Sequence, residues 1–552
     1  MSEAYDYIIV GAGSAGCVLA ARLSEDPKNR VLLLEYGGSD RSVFIQMPSA
    51  LNIPLNSARY NWGYQSEPEK NLDDRRINAP RGKALGGSSS INGLVYVRGN
   101  ALDFEHWEEM GARGWAYRYV LPYFRRAETF LGGADDYRGG DGPLATRTGR
   151  LANPLYRAFV TAAEQAGYGV SPDLNGYQQE GFGSLDMTVN GGVRSSASNA
   201  YLRPAMKRGN LRVLTGALAE AIVFEGKRTT GVRYLRRGQS EVATATREVI
   251  VAAGAINTPQ LLKLSGVGPA AELKAQGIAV NHALPGVGEN LQDHLEFYFQ
   301  VASKQPITLY SSMGLVPRGL IGLRWLLFRD GLGATNHFET GGFIRSRAGV
   351  RYPDIQFHFV PLAMSYDGKK LATEHGYQVH AGPMRSKSRG YVRLRSADAR
   401  EAPRIVFNYM SHPDDWTEMR ACVRLTREIL SQTAFDPYRA REIQPGADVT
   451  SDAMIDAFVR SKAESAYHPS GTCRMGRADD PMAVVDPETR VIGLSGLRVV
   501  DASIMPQITN GNLNAPTIML AEKAADMILG KPALAPSNAP YYVADNWETA
   551  QR

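Results

Sequence analysis

The chain has 552 residues, 43% of them hydrophobic and 21% charged, with a formal net charge of +6, a composition that excludes a disordered or fibrous protein and allows roughly two to four domain-sized units. The positive charge is spread without a run of five or more like residues, which speaks against a nucleic-acid partner, since that needs clustered Lys and Arg. The cysteines Cys17, Cys422 and Cys473 are odd in number and far apart, and neither CxxC nor HExxH occurs, so the reading is a reducing compartment with no disulfide framework and no metal.

In chain order, Met1-Ser2-Glu3-Ala4 leads straight into a short buried strand, Tyr5 to Val10, rather than into a signal peptide. The loop Gly11-Ala12-Gly13-Ser14-Ala15-Gly16 follows, then a helical run from Cys17 to Leu23 and a second buried strand, Arg30 to Leu34, ending on Glu35. A glycine turn between strand and helix, with an acid nineteen residues after Gly16, is the context that makes G-x-G-x-x-G a dinucleotide fingerprint. Gly13 lets backbone approach a pyrophosphate, the helix N-terminus offers free N–H groups, and Glu35 is placed to accept ribose hydroxyls. The motif alone leaves NAD and FAD open.

Residues 40–150 are rich in turn signals, and strand patterning returns over 205–255 before a second glycine turn, Ala252-Ala253-Gly254-Ala255, opens a helix over 258–264. Residues 309–461 change character, with broken apolar segments, aromatic patches and helical patterns over 415–433 and 451–462. A strand at Leu497 to Asp501 and an amphipathic helix over 515–529 resume the first pattern. The expected class is α/β (α+β mixed): a discontinuous Rossmann-like nucleotide-binding domain (1–155, 190–308 and 462–535) with an inserted antiparallel-sheet, substrate-binding domain (156–189 and 309–461). The Pro/Ala/Ser-rich end of the chain, with a tail over 536–552, is expected to be loosely ordered. No apolar stretch reaches the ~18 residues of a membrane span, so a cytoplasmic location is expected, with peripheral membrane contact open.

Three further segments narrow the cofactor. Arg81 to Asn92 (RGKALGGSSSIN) is a small-residue loop suited to a flat ligand, Gly254 to Gly268 (GAINTPQLLKLSGVG) is the second, and 497–529 is the third. With these, the chain resembles the glucose-methanol-choline family of FAD-dependent oxidoreductases from about residue 4 to 530. The stretches 175–183, 286–296 and 336–345 are similar to those of bacterial choline dehydrogenases. Tyr36 departs from the family, which usually has a small residue after the ribose acid. The resemblance implies FAD held by Gly11, Gly13, Ser14, Ala15, Gly16, Glu35, Arg81, Gly86, Gly87, Ser88, Asn92, Gly254, Asp501, Ala502, Asn512 and Thr517. Some choline-oxidising relatives carry, where this chain has Ile91, a histidine bonded to the flavin; isoleucine has no nucleophile, so FAD is expected to be noncovalent.

By the same resemblance, His468 of His468-Pro469-Ser470-Gly471-Thr472 matches the active-site histidine, and Asn514 the position that holds Asn or a second His. The chemistry agrees: a neutral imidazole takes an alcohol's O–H proton near its ordinary pKa of roughly 6.5. An amide at the start of the 515–529 helix, with Pro516 near its first turn, can hold the oxygen. Glu296 matches the carboxylate that meets the trimethylammonium group in choline-oxidising relatives. Trp62, beside Tyr60, is read as part of an aromatic cage, and His358 as a second pocket histidine.

The resemblance thus implies oxidation of choline to betaine aldehyde by hydride transfer to flavin N5, and leaves open a further step to glycine betaine. Electrons are expected to pass to a quinone or other respiratory acceptor. The arginine-bearing apolar run 315–329 suits a peripheral membrane contact. The alternatives are oxidation of uncharged aliphatic or aryl alcohols, and a flavin-dependent lyase or photodecarboxylase on the same scaffold.

Overall fold

The two seven-stranded sheets of this chain differ in their apolar pattern, and their faces meet at one cavity. The computed structural model describes residues 4–365, 368 and 373–552; the expected absence of a leader rests partly on residues 1–3, which lie outside them. In chain order come strand β1 (Ala4–Val10), helix α1 (Ser14–Leu23), strand β2 (Val31–Glu35), helix α2 (Pro154–Gln165) and strands β3 (Gly181–Ser184), β4 (Leu211–Thr215), β5 (Ala217–Glu225), β6 (Arg228–Arg236) and β7 (Gln239–Val251). Helix α3 (Gly254–Leu264), strand β8 (Leu295–Ser303), helix α4 (Leu315–Phe328) and strands β9 (Thr340–Ile344), β10 (Ile355–Val360) and β11 (Gly376–Pro383) follow. Helix α5 (Pro413–Leu430), strand β12 (Arg439–Gln444), helix α6 (Asp452–Lys462), strands β13 (Glu464–Ser465) and β14 (Leu497–Val499) and helix α7 (Asn514–Leu529) complete the frame.

The first sheet has the order β4-β2-β1-β7-β6-β5, with β14 on β7. Its β4, β2, β1, β7 and β14 run parallel, while β6 and β5 add as antiparallel neighbours. Every residue of β2 is buried, as a parallel strand covered on both faces requires. α1 and α7 pack together on this sheet, and their apolar residues share one core with Ile8, Ile9, Leu33 and Val249.

The second sheet is antiparallel, in the order β12-β8-β11-β10-β9-β3, with β13 on β8. Side chains alternate across its strands. Phe297, Phe299 and Val301 of β8, Phe357 and Phe359 of β10 and Tyr377 and Val379 of β11 enter a second core with α2 and α5. Glu296, Tyr298, His358 and His380 fall on the opposite face and line the cavity. The sequence reading left 295–303 in the nucleotide-binding domain; the structure pairs it with β11 and β12 inside the second sheet. Its near-continuous burial masked an alternation of apolar with cavity-facing polar residues.

The end of the chain also departs from expectation. Instead of lying loose, it runs along the surface, with Ser537 N donating to Arg118 O, Tyr542 N to Tyr177 O and Gly349 N to Trp547 O. The guanidinium of Arg552 pairs with Glu428 at 2.6 Å. No helix among the described residues is long and apolar enough to cross a membrane, and no group of His, Cys, Asp and Glu among them is placed to hold a metal.

Candidate active site

A cavity of about 570 Å³ runs from the glycine loops of the first sheet to the polar face of the second. At the glycine end the wall is backbone. A Cβ on Gly87 would stand 2.6 Å from Gly13 Cα, so two glycine loops touch main chain to main chain. A Cβ on Gly13 would meet only Ala252 O, at 4.0 Å, leaving open space beside residues that line the cavity. A wall of this kind at the start of α1 fits a dinucleotide pyrophosphate. Glu35, buried at the end of β2, accepts from Ala12 N at 2.9 Å and Gly37 N at 2.6 Å. Burial raises its carboxyl to about 7 against those two donors.

Ser14, Ala15, Arg81, Ser88, Asn92, Gly254, Asp501, Ala502, Asn512 and Thr517 also line this cavity. Asp501 ties the second glycine turn in place, accepting from Gly254 N at 2.8 Å and Thr258 Oγ1 at 2.6 Å. The hydroxyl of Thr517 is turned back onto Leu513 O at 2.7 Å. Gly16 and Gly86 lie behind the wall. A Cβ on Gly16 would fall 1.8 Å from Gly11 O, and Gly86 N donates to Ala12 O at 2.7 Å; both make the loops close rather than face a ligand. Ile91 is buried at the cavity wall.

At the other end the wall is side chain. Asp293 Oδ1 accepts from His468 N at 2.7 Å, and its Oδ2 accepts from Tyr409 Oη at 2.5 Å and from Ser465 Oγ. This buried carboxyl, raised to about 6 by desolvation, fixes the backbone of residues 465–468. His294, which the sequence reading did not single out, sets the protonation of His468. His294 Nε2 lies 3.0 Å from Met384 O, a group that only accepts, so that nitrogen carries the proton. The bare Nδ1 of His294 then accepts from His468 Nδ1 at 3.0 Å. His468 Nε2 is left with its lone pair on the cavity side, where Asn512 Nδ2 donates to it at 3.1 Å. Burial, then the neighbouring His294, His358 and Arg81, hold His468 well below the ordinary histidine range. Burial likewise lowers His294 to about 4.

The amide opposite the histidine is therefore Asn512, not Asn514. Asn514 Oδ1 accepts from Ser14 Oγ at 2.7 Å, tying the start of α7 to the start of α1. Asn512 stands in the loop before α7 and Asn514 is the first residue of the helix, and it is Asn512 that hydrogen-bonds to His468. Their identical side chains gave the sequence reading no means to choose. Asn512 Oδ1 lies 3.4 Å from His358 Nε2, whose imidazole burial lowers to about 4.

Glu296 faces the cavity from β8, with His380 Nδ1 3.3 Å from its Oε1. Tyr298, next on the same face, stacks on His380 with ring centres 3.7 Å apart, and Phe338 meets the same imidazole edge-on at 5.4 Å. Trp62 lines the same cavity, where it stacks on Tyr36 at 5.0 Å and Tyr64 at 5.7 Å, with the Lys83 ammonium 5.9 Å from its ring. Tyr36 is the residue after Glu35, which puts the indole on the nucleotide side of the cavity. The aromatic faces gathered by Glu296 are Tyr298, His380 and Phe338. A period-two reading of Glu296-Phe297-Tyr298 would have found the first of them.

Family models described as GMC oxidoreductase match residues 5–296 and 386–521. The oxygen-dependent choline dehydrogenase of Photobacterium profundum is 58% identical over 554 residues, covering 100% of this chain and 98% of that protein. The protein of the same name from Brucella ovis is 57% identical over 547 residues, covering 99% of this chain and 100% of its own. Among solved structures, pyridoxine 4-oxidase from Mesorbium loti aligns with a TM-score of 0.86 at 30% identity, over 96% of this chain and 100% of that one. Formate oxidase aligns with a TM-score of 0.89 at 26% identity, over 96% of this chain and 98% of that one. The chain belongs to the GMC oxidoreductase family.

Proposed function

We propose that this protein oxidises choline to betaine aldehyde with noncovalently held FAD. The observation that carries the reading is that a buried carboxylate, Glu296, and an unprotonated imidazole nitrogen beside an amide donor, His468 Nε2, line one cavity. Relatives 57% and 58% identical over essentially their whole length carry the name choline dehydrogenase. When bound, FAD supplies the ring that accepts a hydride from the carbinol carbon. His468 Nε2 takes the hydroxyl proton, and Asn512 Nδ2 donates to the oxygen as negative charge develops there. Glu296 opposes the trimethylammonium charge, with Tyr298 and Phe338 supplying apolar, electron-rich faces. Isoleucine at position 91 supports a flavin held by contacts alone. The hydrate of the aldehyde offers the same O–H and C–H to His468, which extends the proposal to glycine betaine.

Anaerobic mixing of the holoenzyme with choline tests the reading: oxidised-flavin absorbance is expected to bleach, and an unbleached spectrum removes it. Bleaching to the same extent and rate by an uncharged aliphatic alcohol would transfer the proposal to neutral substrates.

The proposed acceptor is a membrane quinone. α4 supports a lipid-facing site: Leu315 is 88% exposed, Val316 73% and Phe328 70%, while only Trp325 of the helix is buried. Arg318 on the helix and Arg329 just after it suit anionic headgroups at the inner face of a cell membrane, while Arg324 is paired with Asp330 at 2.7 Å. Arg318, Ile321 and Leu332 reach the cavity wall, so the surface lies at the mouth of the site. The names of the relatives point to oxygen instead. Turnover with a quinone analogue in the absence of oxygen supports the quinone; turnover that requires oxygen replaces it.

A further inference from the structure

Two Gln-x-His triplets, Gln356-Phe357-His358 and Gln378-Val379-His380, occupy neighbouring strands, and His358 pairs in register with His380. On the other side of β11, Tyr298 is opposite His380 and Gln300 opposite Gln378. The polar face therefore carries Glu296, Tyr298 and Gln300 in one row and Gln378 and His380 in the next. The reaction as derived gives Gln300, Gln378 and His380 no part.

Their hydrogen bonds run in one direction. Gln300 Nε2 donates to Met364 O at 2.8 Å and to Gln378 Oε1 at 2.9 Å. Met364 N donates to the same Gln378 Oε1 at 3.0 Å. With two donors on its oxygen, the Gln378 amide cannot be turned round, and its Nε2 faces His380 Nε2 at 2.8 Å. An amide nitrogen only donates, so His380 Nε2 must accept. The imidazole is consequently neutral, with its proton on Nδ1, the nitrogen 3.3 Å from Glu296 Oε1. The other neutral tautomer would turn a lone pair towards the carboxylate, and an imidazolium would cancel its charge. The amide pair disfavours both.

We infer that His380, held as the Nδ1–H tautomer by the Gln300–Gln378 relay, aims the Glu296 carboxylate and preserves its charge, and so sets the preference for a quaternary ammonium alcohol over an uncharged one. This rests on the role of Glu296 proposed above. His380 acts through Glu296 and is a positioning residue.

The test compares kcat/KM per bound flavin for choline and for its neutral isostere, in which carbon replaces the ammonium nitrogen. Wild-type holoenzyme comes first: equal efficiency on both substrates defeats the reading of Glu296 itself, whatever His380 does. Given a wild-type preference for choline, His380→Ala is expected to lower the choline-to-isostere ratio about tenfold through KM for choline, the worth of one hydrogen bond to a charged group. His380→Asn, whose amide N–H can replace Nδ1–H, is expected to recover most of that ratio. Gln378→Glu separates the relay from simple electrostatics. A negative charge acting through space would raise the preference for the cation, whereas through the relay it draws the His380 proton to Nε2 and lowers the preference. A His380→Ala variant that changes both substrates in proportion, or a Gln378→Glu variant with a raised preference, overturns the inference.

Discussion

The two ends of the cavity are made of different material. The nucleotide end is backbone: Gly11, Gly13 and Gly87 bring main chain to main chain, and Gly87 tolerates no Cβ without displacing Gly13. The substrate end is side chain: Glu296, His294, His380, His468 and Asn512 come from segments far apart in sequence and meet through hydrogen bonds. Removing atoms should therefore damage the substrate end, and adding them the nucleotide end. The contrast also separates what each end governs, the retention of flavin at one and the choice and chemistry of substrate at the other.

The largest expected effect is at the substrate end. His468→Ala removes the proton acceptor but no flavin wall, and flavin reduction by choline is expected to slow by about 10²–10⁴-fold, the usual worth of general-base catalysis. Stopped-flow reduction of the flavin-loaded variant measures it, and an unchanged rate means another base. Glu296→Gln comes next. It leaves the shape nearly intact, and KM for choline is expected to rise by about 30-fold or more with a much smaller change for the neutral isostere, as loss of a desolvated charge pair costs about 2–5 kcal/mol. Gly87→Ala is the counterpart at the nucleotide end. Overpacking at a backbone contact costs about 1–3 kcal/mol, so flavin affinity is expected to fall about tenfold or more, read from the flavin-to-protein absorbance ratio. A fully loaded Gly87→Ala variant would show that the loops do not set the fit.

The same contrast explains how much was legible. A backbone site needs glycines in one contiguous run, so Gly11 to Gly16 and Arg81 to Asn92 announce it in sequence. A side-chain site needs only that each residue fall on the right face of its own element. Glu296 and His468 were found through resemblance, but His380 carries no local motif and becomes visible only once β8, β10 and β11 are in register, and His294 only once its ring meets His468. Asn512 and Asn514 are the sharpest case. They share a side chain and a segment, and the path of the loop before α7 decides which meets His468. Trp62 is hard to read for the opposite reason: a large aromatic in a loop suits a cation cage or a nucleotide wall equally well, and its stacking on Tyr36 and Tyr64 in the cavity wall is visible only in three dimensions.

The asparagine pair gives a cleaner division between the two ends. Asn512→Ala removes a donor that would meet the developing alkoxide, so kcat is expected to fall by about 10²-fold with flavin retained. Asn514→Ala removes one hydrogen bond between α7 and α1, worth about 1 kcal/mol, and should loosen flavin severalfold with little effect on the rate of the loaded enzyme. Exchange of these two phenotypes would restore Asn514 to the place opposite His468.

The pH dependence is the subtlest readout. The catalytic form has His468 neutral, and burial holds its pKa well below the ordinary histidine range. Protonation removes activity, so kcat/KM is lost only as pH falls through that lowered value, and the profile should stay flat from about pH 6 to 8, where an unperturbed imidazole would titrate. His294, lowered to about 4, remains neutral across the same window and keeps accepting the His468 proton. Replacing His294 by Ala leaves Nδ1–H of His468 without its acceptor and frees the imidazole to exchange tautomers. The expected result is a lower kcat on the plateau with the choline-to-isostere ratio near the wild-type value. A change in that ratio would mean that the His294–His468 pair reaches the cation end of the cavity, and that the two jobs of the side-chain wall are not separate.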